Sequence, residues 1–165
     1  MISKKDDHKE IIGRAESMDF VDYGILNIPA KTDTGAYRSS VHASKITLND
    51  DNTLSFNLLE GHPACTQDIE RITTGRFSKI TVTNSFGNSE ERYEVKLRVR
   101  LGTKTLLASF SLADRKNNVY PILIGRRLLN HDFLVDPAKT GINKRKLKNQ
   151  FGIELPLDEE EGKDT

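Results

Sequence analysis

Cysteine and histidine, two residue types that bind zinc, are scarce in this sequence. Cys65 is the only cysteine among 165 residues, which excludes an internal disulfide and any zinc site built on a cysteine pair. The four histidines are His8, His42, His62 and His131, and no His-Glu-x-x-His sequence occurs. Zinc hydrolysis needs about three such ligands around an open position. These shortages weigh against zinc catalysis, so we expect no metal and no other cofactor.

Long hydrophobic runs and an excess charge of one sign are missing as well. No stretch approaches the roughly 20 apolar residues that a membrane helix needs, and the polar first residues do not resemble a signal peptide. Lys and Arg number 25 against 24 Asp and Glu. This balance gives no global argument for binding nucleic acid or an anionic membrane. We therefore expect a cytoplasmic protein whose partners include neither nucleic acid nor membrane.

Short apolar runs separated by turn residues predict a mainly β fold. The alternation of apolar and charged residues is clearest at residues 93–101, and the run Ile122-Leu123-Ile124-Gly125 suits a strand buried on both faces. A short helix is expected directly after it, at residues 126–129, and residues 61–75 are expected to be irregular. Further strands are predicted at residues 25–30, 41–48, 54–59, 77–82, 105–112 and 133–135.

The composition also predicts how the chain is divided. We expect one domain over residues 10–138, preceded by a flexible leader at residues 1–9. Residues 139–165 form an extension that is first basic and then acidic. Such charge runs are typical of solvated or disordered segments, so we expect this extension to be partly disordered.

Asp33, Thr34 and Gly35 form the motif on which a functional prediction depends. The tripeptide alone is weak evidence, because Asp, Thr and Gly are all common in surface turns. Its surroundings are more informative. The motif follows an apolar strand, and a second apolar strand that ends at Gly125 lies far downstream.

This combination resembles the retropepsin pattern, in which an Asp-Thr-Gly-Ala loop is followed by a hydrophobic-hydrophobic-Gly-Arg strand and a short helix. Residues 30–43, Ala-Lys-Thr-Asp-Thr-Gly-Ala-Tyr-Arg-Ser-Ser-Val-His-Ala, closely resemble the signature of one bacterial and archaeal family of retropepsin-like peptidases. Its members are often labelled ATP-dependent zinc proteases. Blocks at residues 92–95, 112–115, 120–127 and 133–137 also resemble this family, so the resemblance spans residues 11–138.

The resemblance implies a closed or partly open β-barrel and an aspartic endopeptidase activity on a peptide or protein. Asp33 is then the catalytic carboxylate. The implied site consists of the catalytic residues Asp33, Thr34 and Gly35 and the substrate-binding residues Ala36, Tyr37 and Arg126. Tyr37 stands where retroviral enzymes usually carry a second aspartate that pairs with the arginine after the glycine, which leaves the partner of Arg126 open. The sequence does not identify the flap either, and the turns at residues 49–52 and 84–88 are the candidates.

Aspartic peptidases need two carboxylates that share one proton. This sequence has one Asp-Thr-Gly and no Asp-Ser-Gly, so one chain supplies half a site. We expect a two-fold symmetric homodimer in which Asp33 of each chain faces its counterpart. An intrachain partner is the alternative, and Asp114 or Asp136, both in family-like blocks, would be that partner.

The resemblance also suggests a substrate, because relatives are associated with RimK-type ATP-grasp ligases, which add glutamates to a ribosomal protein tail. A glutamate-rich peptide would suit a basic rim supplied by Arg126 and Arg127 or by residues 139–148. Two other functions stay open: a peptide-binding module without catalysis, and a zinc hydrolase using His42, His62 and Cys65. No Gly-x-x-x-x-Gly-Lys-Ser/Thr loop supports the use of ATP.

Overall fold

The computed structural model describes residues 8–142 and Leu147, in which eleven strands and one short α-helix occur. A 3-10 helix, Val21–Tyr23, follows the second strand. In chain order, the elements are β1 (Glu10–Ile12), β2 (Ala15–Phe20), β3 (Ile25–Thr32), β4 (Ser39–Leu48), β5 (Leu54–Leu58), β6 (Ile72–Thr74), β7 (Phe77–Thr83), β8 (Ser89–Leu101), β9 (Lys104–Ala113), β10 (Ile122–Ile124), α1 (Arg126–Leu129) and β11 (Phe133–Val135).

Six of the strands close into a barrel, in the order β10, β3, β2, β8, β9 and β4. The pairing of β10 with β4 closes the ring. Two pairings are parallel, β10 with β3 and β4 with β9, and the other four are antiparallel. The predicted mainly β, retropepsin-like barrel with a short helix after the Ile-Leu-Ile-Gly strand is confirmed.

The interior of the barrel is apolar because alternate residues of each strand point inward. In β8 these are Val95, Leu97, Val99 and Leu101, all of which are buried. The lysine and the two arginines that lie between them are exposed. Phe110 of β9 is fully buried and packs against a second phenylalanine with ring centroids 5.9 Å apart. The alternation seen in the sequence therefore reports the inner and outer faces of the barrel.

Further strands extend the barrel on two sides. β5 pairs with the second half of β4 and then with β6, and β1 and β11 form a separate parallel pair. β7 pairs with β8 from Ser89 to Val95, whereas the pairing of β8 with β9 begins at Glu94. The outer part of the β7–β8 hairpin therefore runs beyond the barrel. Phe86, in the turn at its tip, is 90% exposed.

Three strands were not predicted. β2 (Ala15–Phe20) has the sequence Ala-Glu-Ser-Met-Asp-Phe, which contains none of the β-branched residues that favour strands. It forms because β3 and β8 pair with its two edges and because Met18 and Phe20 are fully buried. The expectation that residues 61–75 are irregular is wrong at β6 (Ile72–Thr74), where Ile72 packs into the core. β1 depends on its partner β11, which is distant in the sequence.

The chain stays in contact with the barrel beyond Ala138. Arg14 N–H donates to the Lys139 carbonyl oxygen at 2.8 Å, and Gly141 N–H donates to the Ala15 carbonyl oxygen at 2.8 Å. Leu147 is buried beside Ala15. Residues 1–7, 143–146 and 148–165 lie outside the described residues, so the flexible leader, most of the basic stretch and the acidic tail stay predictions, as does the boundary at residue 138. In the described part of the chain, no helix is long and apolar enough to span a membrane.

Candidate active site

The Asp33 loop begins where β3 ends. Asp33 N–H donates to the Ile124 carbonyl oxygen at 2.8 Å, which continues the pairing of β3 with β10. The Asp33 Oδ1 atom accepts a hydrogen bond from Gly35 N–H at 3.0 Å, and the Asp33 carbonyl oxygen accepts one from Ala36 N–H at 3.2 Å. The carboxylate is half-buried, and Thr34 and Gly35 are exposed. The turn therefore fixes the carboxylate at the edge of an open surface.

Gly125 allows the second apolar strand to pass close behind this loop. A Cβ atom at this position would lie 2.5 Å from the carbonyl carbon and oxygen of Arg38 and 2.8 Å from the Tyr37 carbonyl oxygen. These are backbone atoms, so no side-chain rotation would relieve the overlap. Gly125 N–H donates to Ser39 Oγ at 3.0 Å in the space that remains. The glycine is thus required by a close approach of two backbones.

Arg126 forms hydrogen bonds with the backbone of the Asp33 loop. Its Nη1 group donates to the carbonyl oxygens of Thr34 at 3.1 Å and Gly35 at 3.0 Å, and its own N–H donates to the Ala36 carbonyl oxygen at 2.8 Å. The Tyr37 ring is 51% exposed and lies 6.0 Å from the Arg126 guanidinium carbon. Arg126 therefore pairs with loop carbonyls instead of the second aspartate that retroviral enzymes carry at the position of Tyr37. Direct contact of Ala36, Tyr37 or Arg126 with a substrate stays a prediction.

A buried carboxylate, Glu94, joins the loop to two other elements. Its side chain is only 10% exposed, and it accepts hydrogen bonds from Arg38 Nη1 at 2.6 Å and from Arg127 Nη1 at 3.0 Å. Arg38 precedes β4, Glu94 lies at the base of the β7–β8 hairpin and Arg127 belongs to α1. No role for Glu94 was predicted from the sequence. The available signal was that Glu94 directly precedes three basic residues of the same outward-facing row, Lys96, Arg98 and Arg100.

Paired residues of neighbouring strands point to the same face of a sheet, and here they form a row across the outside of the barrel. We call this row the Asp33 face, because Asp33 comes two residues after its first member. Successive pairings define its members, which are Lys31 of β3, Leu123 of β10, Ser40 of β4, Ser111 of β9 and Glu94 of β8. The hairpin that ends in the turn at residues 84–88 lies at the far end of this row.

The sequence matches the family described as "RimB-like: Retropepsin-like aspartic endopeptidase RimB" over residues 11–146. The chain belongs to this family. A RimB-like region also occurs in larger proteins: the chain is 32% identical over 135 residues to a "Probable alpha-L-glutamate ligase" of Desulfotalea psychrophila, covering 79% of this chain and 28% of that protein. A protein of the same name from Shewanella pealeana is 32% identical over 81% of this chain and 30% of its own length. The chain thus spans less than a third of these relatives.

A solved structure supports the same fold. The Legionella pneumophila protein Lpg0085, described as of unknown function, superposes on this RimB-like chain with a TM-score of 0.62. The two are 28% identical, and the match covers 79% of this chain and 95% of the other.

The two intrachain partners considered for Asp33 have local roles in this RimB-like chain. Asp114 is 69% exposed, and its Oδ1 accepts a hydrogen bond from Lys116 N–H at 3.2 Å. Asp136 Oδ1 accepts a hydrogen bond from Ala138 N–H at 2.9 Å, which caps the turn after β11. Within the described residues, neither aspartate shares a hydrogen bond with Asp33.

The residues considered for zinc lie close together, but their nitrogens have other partners. The rings of His42 and His62 are buried with centroids 5.9 Å apart. His42 Nε2 lies 2.6 Å from the Glu60 carbonyl oxygen, and its Nδ1 accepts a hydrogen bond from a backbone N–H at 2.9 Å. In the same way, His62 Nε2 lies 2.8 Å from the Asn118 carbonyl oxygen and Nδ1 accepts from Ala64 N–H at 3.0 Å. Both imidazoles are thus held in the Nε2–H tautomer by the backbone.

Burial also affects the titration of His62 and Cys65. Burial is the main cause that lowers the pKa of His62, and it also raises the pKa of the nearby Cys65 thiol. A neutral imidazole with both nitrogens bonded and a protonated thiol are poor metal ligands as they stand. In the part of the chain that the structure describes, no group of three or more His, Cys, Asp or Glu side chains is arranged to hold a metal. The expectation of no cofactor stays a prediction.

Proposed function

We propose that the chain is an aspartic endopeptidase whose active site consists of Asp33 from each of two copies. The main observation in support is the geometry of the Asp33 carboxylate, which Gly35 N–H orients at the edge of an open loop. No other carboxylate among the described residues hydrogen-bonds to it. Membership in a family of aspartic endopeptidases supports the reaction. A two-fold axis next to the loop would supply the second carboxylate.

The proposed reaction uses the two Asp33 side chains in different protonation states. The ionised carboxylate accepts a proton from water as the water oxygen attacks the peptide carbonyl carbon. The protonated carboxyl donates its hydrogen bond to the carbonyl oxygen, which stabilises the tetrahedral intermediate. When the C–N bond breaks, the leaving nitrogen receives a proton from the pair. Thr34 would hydrogen-bond to the partner loop, and Gly35 would allow the two loops to approach closely.

An acidic peptide is the proposed substrate. Three guanidinium groups, those of Arg38, Arg126 and Arg127, surround the Asp33 loop, and Glu94 is the carboxylate paired with two of them. This excess of positive charge would attract a chain of glutamates and fix its direction. Similar regions within proteins named as alpha-L-glutamate ligases support a connection to glutamate chains.

Peptide cleavage by the wild type and Asp33→Asn, between about pH 4 and 8, tests this proposal. We expect a chelator-resistant activity that Asp33→Asn lowers by about a thousandfold or more, because the substitution keeps the shape but removes the general base. Asp68→Asn, at an exposed position, is the matched control and should cleave like the wild type. Activity that survives Asp33→Asn or disappears with a chelator would support a metal enzyme instead. A folded wild type that binds peptides without cutting them would be a binding module.

A further inference from the structure

Two arginines near the Asp33 face have unusually few partners. Arg115 follows β9, and Arg92 lies two residues before Glu94 on β8. Both are partly buried. The Nε group of Arg115 donates to the Tyr120 carbonyl oxygen at 3.1 Å, and no carboxylate among the described residues pairs with its guanidinium. Its Nη groups have no hydrogen-bond partner among the described residues and are not fully buried.

Arg92 also has a hydrogen-bond donor without a partner among the described residues. Its Nη2 group forms a hydrogen bond of 3.3 Å with Glu90, a carboxylate that is 67% exposed, and its buried Nε group has no hydrogen-bond partner within the described residues. Buried donors are nearly always bonded in folded proteins. The positive charge of Arg92 also lowers the pKa of Arg115, after the larger effect of burial. Arg92 thus has an unbonded buried donor, and its neighbour Arg115 pairs with no carboxylate of the described residues. This arrangement favours the arrival of an anion.

The position of this pair relates it to the catalytic loop. Arg115 bonds to the carbonyl of Tyr120, and Lys31, two residues before Asp33, lies 6.0 Å from the Tyr120 ring centroid. Arg92 points to the same side of β8 as Glu94, the last member of the Asp33 face. Both arginines therefore lie beside the face that leads to Asp33, where an extended peptide bound at Asp33 would reach them.

We infer that Arg92 and Arg115 form a subsite for the carboxylates of an acidic peptide, next to the catalytic loop. This inference rests on the proposed peptidase function and specifies how that site selects its substrate. The planar guanidinium groups offer several N–H donors to carboxylate oxygens. A bound carboxylate would accept from the unpaired Nη groups of Arg115. It would also reduce the repulsion between the two cations. A glutamine peptide of equal length would gain neither effect.

Peptide binding to the non-cleaving Asp33→Asn protein tests this inference without relying on activity. The probes are a fluorescent glutamate peptide and its glutamine counterpart, each made with a free and an amidated C-terminus. We expect Arg92→Gln and Arg115→Gln each to weaken binding of the glutamate peptide by about tenfold and to leave the glutamine peptide within about twofold. High salt should reduce the difference. If only the free-carboxyl forms respond, the subsite binds a chain terminus and not glutamate side chains, which would overturn the inference.

Three control variants separate recognition from damage to the fold. Arg98→Gln removes the same charge from the same strand, roughly 20 Å away along β8, where Arg98 is paired with Asp22, and it should bind like the parent. Arg115→Lys should restore part of the affinity. Glu90→Gln should tighten binding, because it releases Arg92.

The two possible failures give different results. Equal losses for glutamate and glutamine peptides, or none for either, would contradict the subsite. Selective losses in binding, together with a wild type that cleaves no peptide, would contradict the peptidase proposal and leave the subsite standing.

Discussion

At position 125 the chain has no room for even a single methyl group. The backbone of Tyr37 and Arg38 occupies the space where a Cβ atom would lie. Asp33 N–H donates to the carbonyl oxygen of Ile124, the residue before Gly125. A displacement at Gly125 would therefore be transmitted directly to the Asp33 loop.

Gly125→Ala should therefore lower both stability and activity. Overpacking of this kind costs about 1–3 kcal/mol of the free energy of unfolding, because backbone atoms must move apart. Chemical denaturation measures the effect. Gly75→Ala is the control, since no heavy atom lies within 4 Å of the added Cβ atom. Equal stability of the two variants would show that the loop and strand are not tightly packed.

His62 should make stability depend on pH. Burial lowers its folded-state pKa below the usual 6.5, so the unfolded chain binds more protons just below pH 6.5. Stability must then fall as pH decreases from about 6.5 towards the folded-state pKa and become constant below it. Protonation also removes the acceptor that Ala64 N–H uses.

Urea unfolding at a series of pH values checks this behaviour. The wild type should lose more stability on acidification than His62→Gln, whatever the absolute stability of the variant. Parallel curves for the two proteins would contradict the assignment.

The motif residues could be found from sequence, whereas their partners could not. Asp33, Thr34, Gly35 and Gly125 follow a recognisable local pattern, because a tight turn and a close backbone approach restrict the residue types allowed. Arg126 contacts carbonyl oxygens of the loop. Every residue has such a backbone oxygen, so the amino-acid types in the loop do not predict this contact. Glu94 pairs with Arg38, 56 positions away, and one sequence contains no signal for such a distant pair.

Among elements, the β7–β8 hairpin, the Asp33 loop and α1 meet at Glu94. Its ion pairs with Arg38 and Arg127 connect segments that are otherwise separate along the chain. Before Glu94, β8 pairs with β7 and not with β9, so Glu94 is the point at which motion of the hairpin would be passed to the Asp33 loop.

Glu94→Gln should loosen the hairpin and the loop together. Charge-assisted hydrogen bonds contribute about 1.5–3 kcal/mol when buried, and partial exposure of both arginines places the expected loss near the lower limit. Hydrogen exchange should accelerate at residues 36–40 as well as in the hairpin. Glu91→Gln is the control, because its pair with Lys79 is exposed and such pairs contribute about 0–1 kcal/mol. Faster exchange in the hairpin alone would show that Glu94 does not couple the two.

The strands that sequence predicted share a clear alternation or a continuous apolar run. β8 and β9 are examples, and their charged and apolar residues report the two faces of the barrel. β2 was missed because its stability depends on burial between β3 and β8 and not on its own composition. The first residues of β8, from Ser89 on, are polar and are ordered into a strand by pairing with β7.

At the scale of the whole molecule, the barrel presents half of the active site that we propose. Asp33 lies at an open edge, and the reaction proposed for it needs a second carboxylate. A two-fold dimer would bring together two copies of the same loop, so a single chain carries all the information for the complete site.

Mixing wild-type and Asp33→Asn chains, exchanged to equilibrium at constant total protein, tests this central claim most directly. If each site needs Asp33 from both chains, activity falls with the square of the wild-type fraction, to about a quarter at an equal mixture. If each chain acts alone, activity falls in proportion, to about one half. The account predicts the quadratic curve, and a straight line would contradict it.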